Sequence, residues 1–516
     1  MDILLQRHQW CSVGDVSVCG FCYDCSGSLV RGVRFASLFQ KVKNRSQLVE
    51  LLSDLNGQFA VAIDNIRFRA IAVDRIRTIP LYFNESAISD NPESLLSGHD
   101  TIDRQALLEY RATGNTFAGK TLVKGLNQVA AGAVVFFEPS GAQSVQYWQF
   151  TCRRGEERER TPDELYNCIS KVFERVGNAV GDRPVVIPLS GGYDSRLVAA
   201  MLRRVGLRDA VCYHVGSANS GEERVARRVA CALGYRYHLV RSDTLVEESA
   251  GFLHDDLFRQ YYRYVGDYTN FVWLYDYFAI RHMRSKGMLD DGSVFMPGHS
   301  GDMVAGSHIS KGKVSNRCSA FELAGSMVLR NFEYRTAASV FREVYDYFKA
   351  ELSMGTTPVS AYQWFVLRNR QAQQIVNSTK VYAHMGYNCC LPLWDRDIVD
   401  FFRNAKYDAL CNCSLYNQCA ERVFEEEKLP TGKTAIQPPA LARLALKRWL
   451  PKQVVNRMVD MSDETGELGL CQPMLEQLLE NRIYITQHHF TSGNEIIKDW
   501  YEMQVRSELE HPRYNE

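Results

Sequence analysis

Within Ser190-Gly191-Gly192-Tyr193-Asp194-Ser195, two hydroxyls, two glycines and one carboxylate lie between a short apolar run and an amphipathic stretch. Val185–Leu189 reads as a buried strand flanked by prolines, and Leu197, Met201 and Leu202 have helical spacing on one face. A strand that enters a helix through Ser-Gly-Gly leaves unpaired backbone N–H groups at the helix N-terminus, and these favour an anion, most often phosphate. Glycine allows close backbone approach, and Ser190 and Ser195 add hydroxyl donors. Asp194 would repel bare phosphate, so its presence points to a bridging Mg²⁺. The same logic recurs in "PGHSGDMVAGSHI", a strand end with small residues and one carboxylate, Asp302. Asp302 is the natural second ligand for Mg²⁺ on a polyphosphate.

These turns need a scaffold, and the pattern around them supplies one. After about residue 155, strands and helices alternate: Val185–Leu189, a helix over 195–206, "AVCYHVG", a helix over 221–233, "YRYHLV", long helical segments over 244–287, then "SVFMPGHSGD". That order predicts a parallel sheet with right-handed crossovers and ligands beyond the carboxyl ends of the strands. Three strand ends meet there, at Leu189-Ser190, Val215-Gly216 and Met296-Pro297-Gly298. The remainder, to Glu516, reads as mainly helical. Residues 1–155 read instead as β-rich, with strands at Phe59–Ile63, Phe68–Val73 and Pro80–Phe83 and a hairpin around Pro139-Ser140-Gly141. The charged stretch "RRGEERERTPDEL" reads as the linker, giving domains 1–155 and 156–516.

At 516 residues the chain is too long for one ordinary core. Its 60 basic and 60 acidic residues balance, which argues against nucleic acid or an anionic membrane as a main partner. No signal peptide is expected from "MDILLQRHQW", and no apolar run reaches the ~18 residues of a membrane span. Fifteen cysteines without an export signal suit a reduced, cytoplasmic protein. Cys19, Cys22 and Cys25 have CxxCxxC spacing, but no matched second pair or neighbouring histidine accompanies them, so they read as structural.

The loop at Ser190–Ser195 resembles the pyrophosphate loop of the asparagine synthetase family, which includes β-lactam synthetases and lasso-peptide cyclases. "LNGQFAVAI", "VDRIRTIPLYF", "LLEYRATGNTFAGKTLVKGLNQVAAGAVV" and "QYWQF" resemble that family's glutaminase domain, and "LPLWDRDIVDFF" its later Pro-x-x-Asp element at Asp395. The resemblance implies an α/β protein with two parts. The first is an N-terminal-nucleophile-hydrolase-like (Ntn) α+β domain. The second is a parallel-sheet ATP pyrophosphatase domain of the PP-loop, adenine-nucleotide α-hydrolase-like type. It further implies that Ser190, Gly191, Gly192 and Ser195 bind pyrophosphate and that Asp194 and Asp302 bind Mg²⁺. Leu189, Val215, Pro297 and Gly298 would frame the adenosine of ATP. A substrate carboxylate would attack the α-phosphate to give an acyl-adenylate and pyrophosphate, and a nitrogen nucleophile would displace AMP.

Two positions depart from the family. Its glutaminases use a cysteine at position 2, where this chain has Asp2, so the N-terminal domain is expected not to hydrolyse glutamine. Nitrogen would come from ammonia, from a separate glutaminase or from an amine. The family's Gly-Glu-Gly-Xaa-Asp-Glu becomes Gly298-His299-Ser300-Gly301-Asp302-Met303. His299 is then either a base or a hydrogen-bonding residue, and the change points to an acceptor other than aspartate. Gly432-Lys433-Thr434 mimics the end of a Walker A loop, but the earlier glycine it needs is Glu427. Lys433 instead matches either the family lysine that neutralises departing pyrophosphate or a solvated loop residue. The expected activity is an AMP-forming amide ligase acting on a small-molecule or sugar carboxylate, with uronic acid amidation in surface-polysaccharide synthesis as one form. A lasso-peptide-type cyclase, a tRNA-modifying ATP pyrophosphatase and a non-catalytic scaffold are the alternatives.

Overall fold

The computed structural model describes residues 1–332, 336–432, 467–480 and 493–510. The N-terminal region contains two β-sheets. One has seven strands, with Val16–Tyr23, Asn56–Asp64, Arg69–Val73 and Ala133–Glu138 at its centre, all paired antiparallel. The other has four short strands in the order Asp2–Leu4, Ala87–Ser89, Tyr82–Phe83 and Asn127–Gln128. Alternation along Asn56–Asp64 explains how one strand serves two interfaces. Phe59, Val61 and Ile63 pack in the core that contains Phe35, Phe39, Leu48 and Leu52 of the helices Gly32–Phe39 and Arg45–Asp54. Ala60 and Ala62 pack instead with Leu81, Ile88 and Val129, where small side chains admit the second sheet.

Cys19 and Cys22 lie within the Val16–Tyr23 strand, and burial pushes both thiols up to about 12. Cys11 is on the adjacent strand and Cys25 is exposed beyond the strand end. Packing accounts for the first two.

The chain then enters the helix Pro162–Val180. This helix begins with a capping box between Thr161 and Glu164 and has Pro162 in its first turn. A five-stranded parallel sheet follows, ordered Arg236–Arg241, Ala210–Gly216, Val185–Pro188, Val294–Phe295 and Asn388–Cys389. Successive strands add on one side of Val185–Pro188, and then the chain returns to its other side. Such a reversal opens a crevice at the carboxyl end of the strand where it occurs. Val185 and Ile187 pack with Leu197, Met201 and Leu165, while Val186 joins Val211, Tyr213 and Phe295 on the opposite face.

The helix expected over 195–206 is Tyr193–Arg204, so Asp194 falls in its first turn. The helical stretch over 244–287 divides into Ser242–Glu248, Asp256–Gly266 and Leu274–Ser285. The second break is enforced by Asp267 and Tyr268, consecutive residues with φ of 49° and 57°, a conformation that no helix continues through. No helix among the described residues is long and apolar enough to cross a membrane.

Candidate active site at the sheet edge

The turn after Val185–Pro188 is held by its own hydroxyls. Ser190 N donates to Ser195 Oγ at 3.0 Å, and Gly192 N donates to Ser190 Oγ at 3.2 Å. Gly192, exposed, is the N-cap of the Tyr193–Arg204 helix and supplies no side-chain cap. That is the helix end at which an anion is best received.

Contact between the two acidic turns depends on glycine. A Cβ on Gly298 would lie 2.3 Å from Ser195 N, and one on Gly301 would lie 2.7 Å from both Leu393 Cδ1 and Tyr416 Oη. Without these side chains, the segment after Val294–Phe295 rests directly on the first turn of the helix. Asp302 N then donates to Asp194 Oδ2 at 3.0 Å, and Tyr416 Oη donates to Asp194 Oδ1 at 2.8 Å. Asp194 and Asp302, 108 residues apart in sequence, therefore share one site.

The electrostatics follow from that proximity. Loss of water and the neighbouring Asp302 carboxylate push Asp194 up to about 7, against the hydrogen bonds from Asp302, Tyr416 and Gly301. Asp302 itself is exposed at the edge. A part-buried carboxylate raised by a second carboxylate is an anionic pair that a divalent cation would relieve. Among the described residues no group of three or more His, Cys, Asp or Glu side chains is placed to hold a metal. A pair of carboxylates suits Mg²⁺, which takes one or two carboxylates and completes its octahedron with phosphate and water oxygens.

The residues assigned to adenosine lie along the same edge. Leu189 directly follows Val185–Pro188, Val215 is next to last in Ala210–Gly216, and Pro297 and Gly298 follow Val294–Phe295. Leu189 is itself a core side chain, 1% exposed, so its backbone is what a ligand could meet. Its carbonyl lies 3.0 Å from His214 Nδ1.

His299 belongs to the second acidic turn, which meets through Ser300 a π-helix, Leu367–Ile375, whose wide turns often accompany functional sites. Its Nε2 is 3.1 Å from Ser378 Oγ, and Ser378 Oγ donates its only proton to Ile375 O at 2.7 Å. His299 Nε2 must then carry the hydrogen, which leaves the lone pair on Nδ1. Burial pushes the imidazole down to about 4, so it is neutral at pH 7. The next residue, Ser300, has φ of 66° and donates to Gln371 Oε1 at 2.7 Å. This non-glycine residue is held in the left-handed region by its surroundings, as strained residues at functional sites are.

Several residues at the site escape sequence reasoning. Arg196, fully buried, donates to Gly192 O at 3.0 Å, Pro430 O at 2.6 Å and Gly432 O at 2.8 Å. Its guanidinium also lies over the rings of Tyr193 and Phe424. It thereby ties Pro430 and Gly432 to the loop at Gly191-Gly192. Lys433 lies outside the described residues. The position of Arg196, directly after the loop, is the one signal that could have drawn notice to it; Tyr416 carries none. Asp395, of the Pro-x-x-Asp element, is a buried junction. It accepts from Arg175 Nη2 at 2.6 Å and from Asn56 Nδ2 at 3.0 Å, the latter in the N-terminal region.

Comparison with known proteins adds the following. The family model described as asparagine synthase matches residues 174–484. A search of curated proteins finds no match. Among solved structures, glutamine phosphoribosylpyrophosphate amidotransferase from B. subtilis, complexed with ADP and GMP, aligns at 10% identity. That alignment covers 47% of this chain and 75% of the other, at a TM-score of 0.18. A structure titled as the allosteric regulatory enzyme of purine biosynthesis aligns at 11% identity, covering 45% and 62%, at a TM-score of 0.16. Likeness at that level carries no argument.

Proposed function

The chain belongs to the asparagine synthase family, and on that premise we propose that it is an ATP-dependent amide ligase that forms AMP and pyrophosphate. The contact of Asp302 N with Asp194 Oδ2 carries this reading, because it joins two carboxylates at the edge where the sheet reverses. Mg²⁺ held there would neutralise charge on the phosphates of ATP. Ser190, Gly191, Gly192 and Ser195 would bind the pyrophosphate unit through backbone and hydroxyl donors. Leu189, Val215, Pro297 and Gly298 would bracket the adenosine. A carboxylate oxygen of the acceptor attacks the α-phosphorus, the bond to the bridging oxygen breaks, and pyrophosphate leaves. The nitrogen nucleophile then attacks the acyl carbon, loses a proton and displaces AMP. Nδ1 of His299 can accept a hydrogen bond from that nucleophile and orient it, while its low basicity makes it a weak proton acceptor. Lys433 would meet the departing pyrophosphate.

We divide the chain near residue 155 into a glutaminase-like domain and a synthetase domain. Asp2 is exposed on its strand, and nothing there replaces a cysteine nucleophile with its own amine as base. Nitrogen therefore comes from ammonia, from a separate glutaminase or from an amine on a substrate. The acceptor is a small-molecule or sugar carboxylate, and amidation of a uronic acid in surface-polysaccharide synthesis is the form we favour. We place the reaction in the cytoplasm, without nucleic acid or membrane as partner. The test is AMP release with a panel of carboxylates, supplied with ammonia or with glutamine. Uronic acids are expected to respond with ammonia and not with glutamine. Efficient conversion of aspartate to asparagine would overturn the acceptor assignment. A small peptide acceptor cyclised with AMP release would favour the lasso-type alternative, and no release with any carboxylate the scaffold.

A further inference from the structure

A second charged cluster lies where the two regions meet, and its imbalance is opposite in sign. Asp267, fully buried, accepts from Arg7 Nη1 at 2.5 Å and from Tyr82 Oη at 2.6 Å, and it is ion-paired with Lys380. Arg77 stands close enough to perturb both Lys380 and Tyr82. Two cations thus pair with one carboxylate, and Arg77 adds a third positive charge beside Lys380. Of the other carboxylates nearby, Asp90 is already taken by the backbone N–H groups of Gln6, Arg7 and His8 and by Trp10 Nε1, and Glu93 lies beside Arg263.

Arg77 is the group left uncompensated. It is 2% exposed, and its Nη2 donates to Gln373 Oε1 at 3.0 Å, while its Nε and Nη1 have no partner. Gln373 Nε2 is also buried without a partner. These orphaned groups are all donors. A buried guanidinium with no carboxylate is costly, and each unsatisfied donor adds to the cost. The backbone compounds it, since Arg77 has φ of 57°, a conformation that glycine adopts more cheaply. Charge, burial, missing acceptors and backbone strain fall on one residue, as expected where stability is given up for binding.

We propose that Arg77 and Gln373 form a binding site for a small oxyanion, a carboxylate or phosphate group, at the junction of the two regions. A group that only accepts hydrogen bonds satisfies all three orphaned donors, and a planar fork of N–H groups matches two oxygens. The site lies on the same π-helix that receives Ser300, so one helical segment contacts both the oxyanion and the turn bearing His299. It does not depend on the ligase reading, because the binding it predicts needs no nucleotide.

The experiment is thermal unfolding of the full chain without ATP, at constant ionic strength, with succinate, inorganic phosphate or chloride. One oxyanion is expected to raise the midpoint by about 2 °C or more, and chloride is not. Response to succinate alone assigns a carboxylate, and to phosphate alone a phosphate group. Arg77→Gly should unfold no earlier than wild type in chloride and should lose the oxyanion response. Gln373→Glu, which supplies the missing acceptor within the chain, should raise the midpoint in chloride and also lose the response. An oxyanion-insensitive wild type, or an equal response to chloride, would overturn the site. So would a lowered midpoint in both variants, because the two side chains would then be structural.

Discussion

The sheet edge and the domain junction are electrostatic opposites. At the edge, Asp194 accepts from the backbone of Asp302 beside that residue's carboxylate, and is forced up to about 7. At the junction, Arg7 and Lys380 both pair with Asp267, and Arg77 retains two nitrogens with no acceptor. Folding on its own would favour neither, because each imbalance costs stability that apolar packing could have supplied. The difference lies in what would complete each region: a cation with its phosphates at the edge, an oxyanion at the junction. Uncompensated charge is informative in both places, and its sign says what is missing.

The largest expected effect breaks the edge. Asp194→Ala should abolish carboxylate-dependent ATP–pyrophosphate exchange, a loss of about 10³-fold or more, since stabilising the charge that develops on phosphate oxygens commonly contributes more to catalysis than any other effect. A variant retaining a tenth of wild-type exchange would remove the pair from the mechanism. Next comes Arg196→Lys, which keeps the charge but cannot reach three carbonyls from one rigid fork. Exchange should fall by about 10–100-fold, chiefly in kcat, with the acceptor KM little changed. An unchanged kcat would mean that tethering Pro430 and Gly432 is incidental. His299→Asn should cost about 10-fold in the amide-forming step while exchange persists, because the nucleophile enters only after pyrophosphate has left. Equal loss in both steps would place His299 in adenylation.

The smallest effect is on stability. Because Asp194 ionises less readily folded than unfolded, the folded chain holds its proton over a range where the unfolded chain has released it. The contribution of Asp194 to stability without ligand should therefore fall as pH rises from about 4 to about 7, so Asp194→Asn should gain stability relative to wild type across that range. Denaturant midpoints across this range test the sign. A variant-minus-wild-type difference that stays constant with pH would contradict the raised carboxyl.

How much of this was legible depended on how local each signal is. The strand, glycine turn and helix at Val185–Arg204 are contiguous, so apolar runs and spacing identified them, and the second acidic turn followed by the same reasoning. Strand order was not legible in detail. The reversal around Val185–Pro188 depends on the return to Val294–Phe295 after an intervening stretch of more than 50 residues. Tyr416 reaches Asp194 across 222 positions, and a buried tyrosine hydroxyl has no sequence signature. The junction was invisible for the same reason. Arg7, Arg77, Asp267 and Lys380 come from four distant segments, and each alone reads as a surface charge. The break at Asp267-Tyr268 is marked only by Gly266 before it, and a single glycine inside a helical pattern does not decide a boundary.

Calorimetric titration of the protein with ATP, with Mg²⁺ and with Mg²⁺ removed by chelator, tests the central claim most directly. The account predicts saturable binding that requires Mg²⁺ and is lost in both Asp194→Ala and Asp302→Ala. Binding that is equally tight in the chelator, or unchanged in either variant, would contradict it.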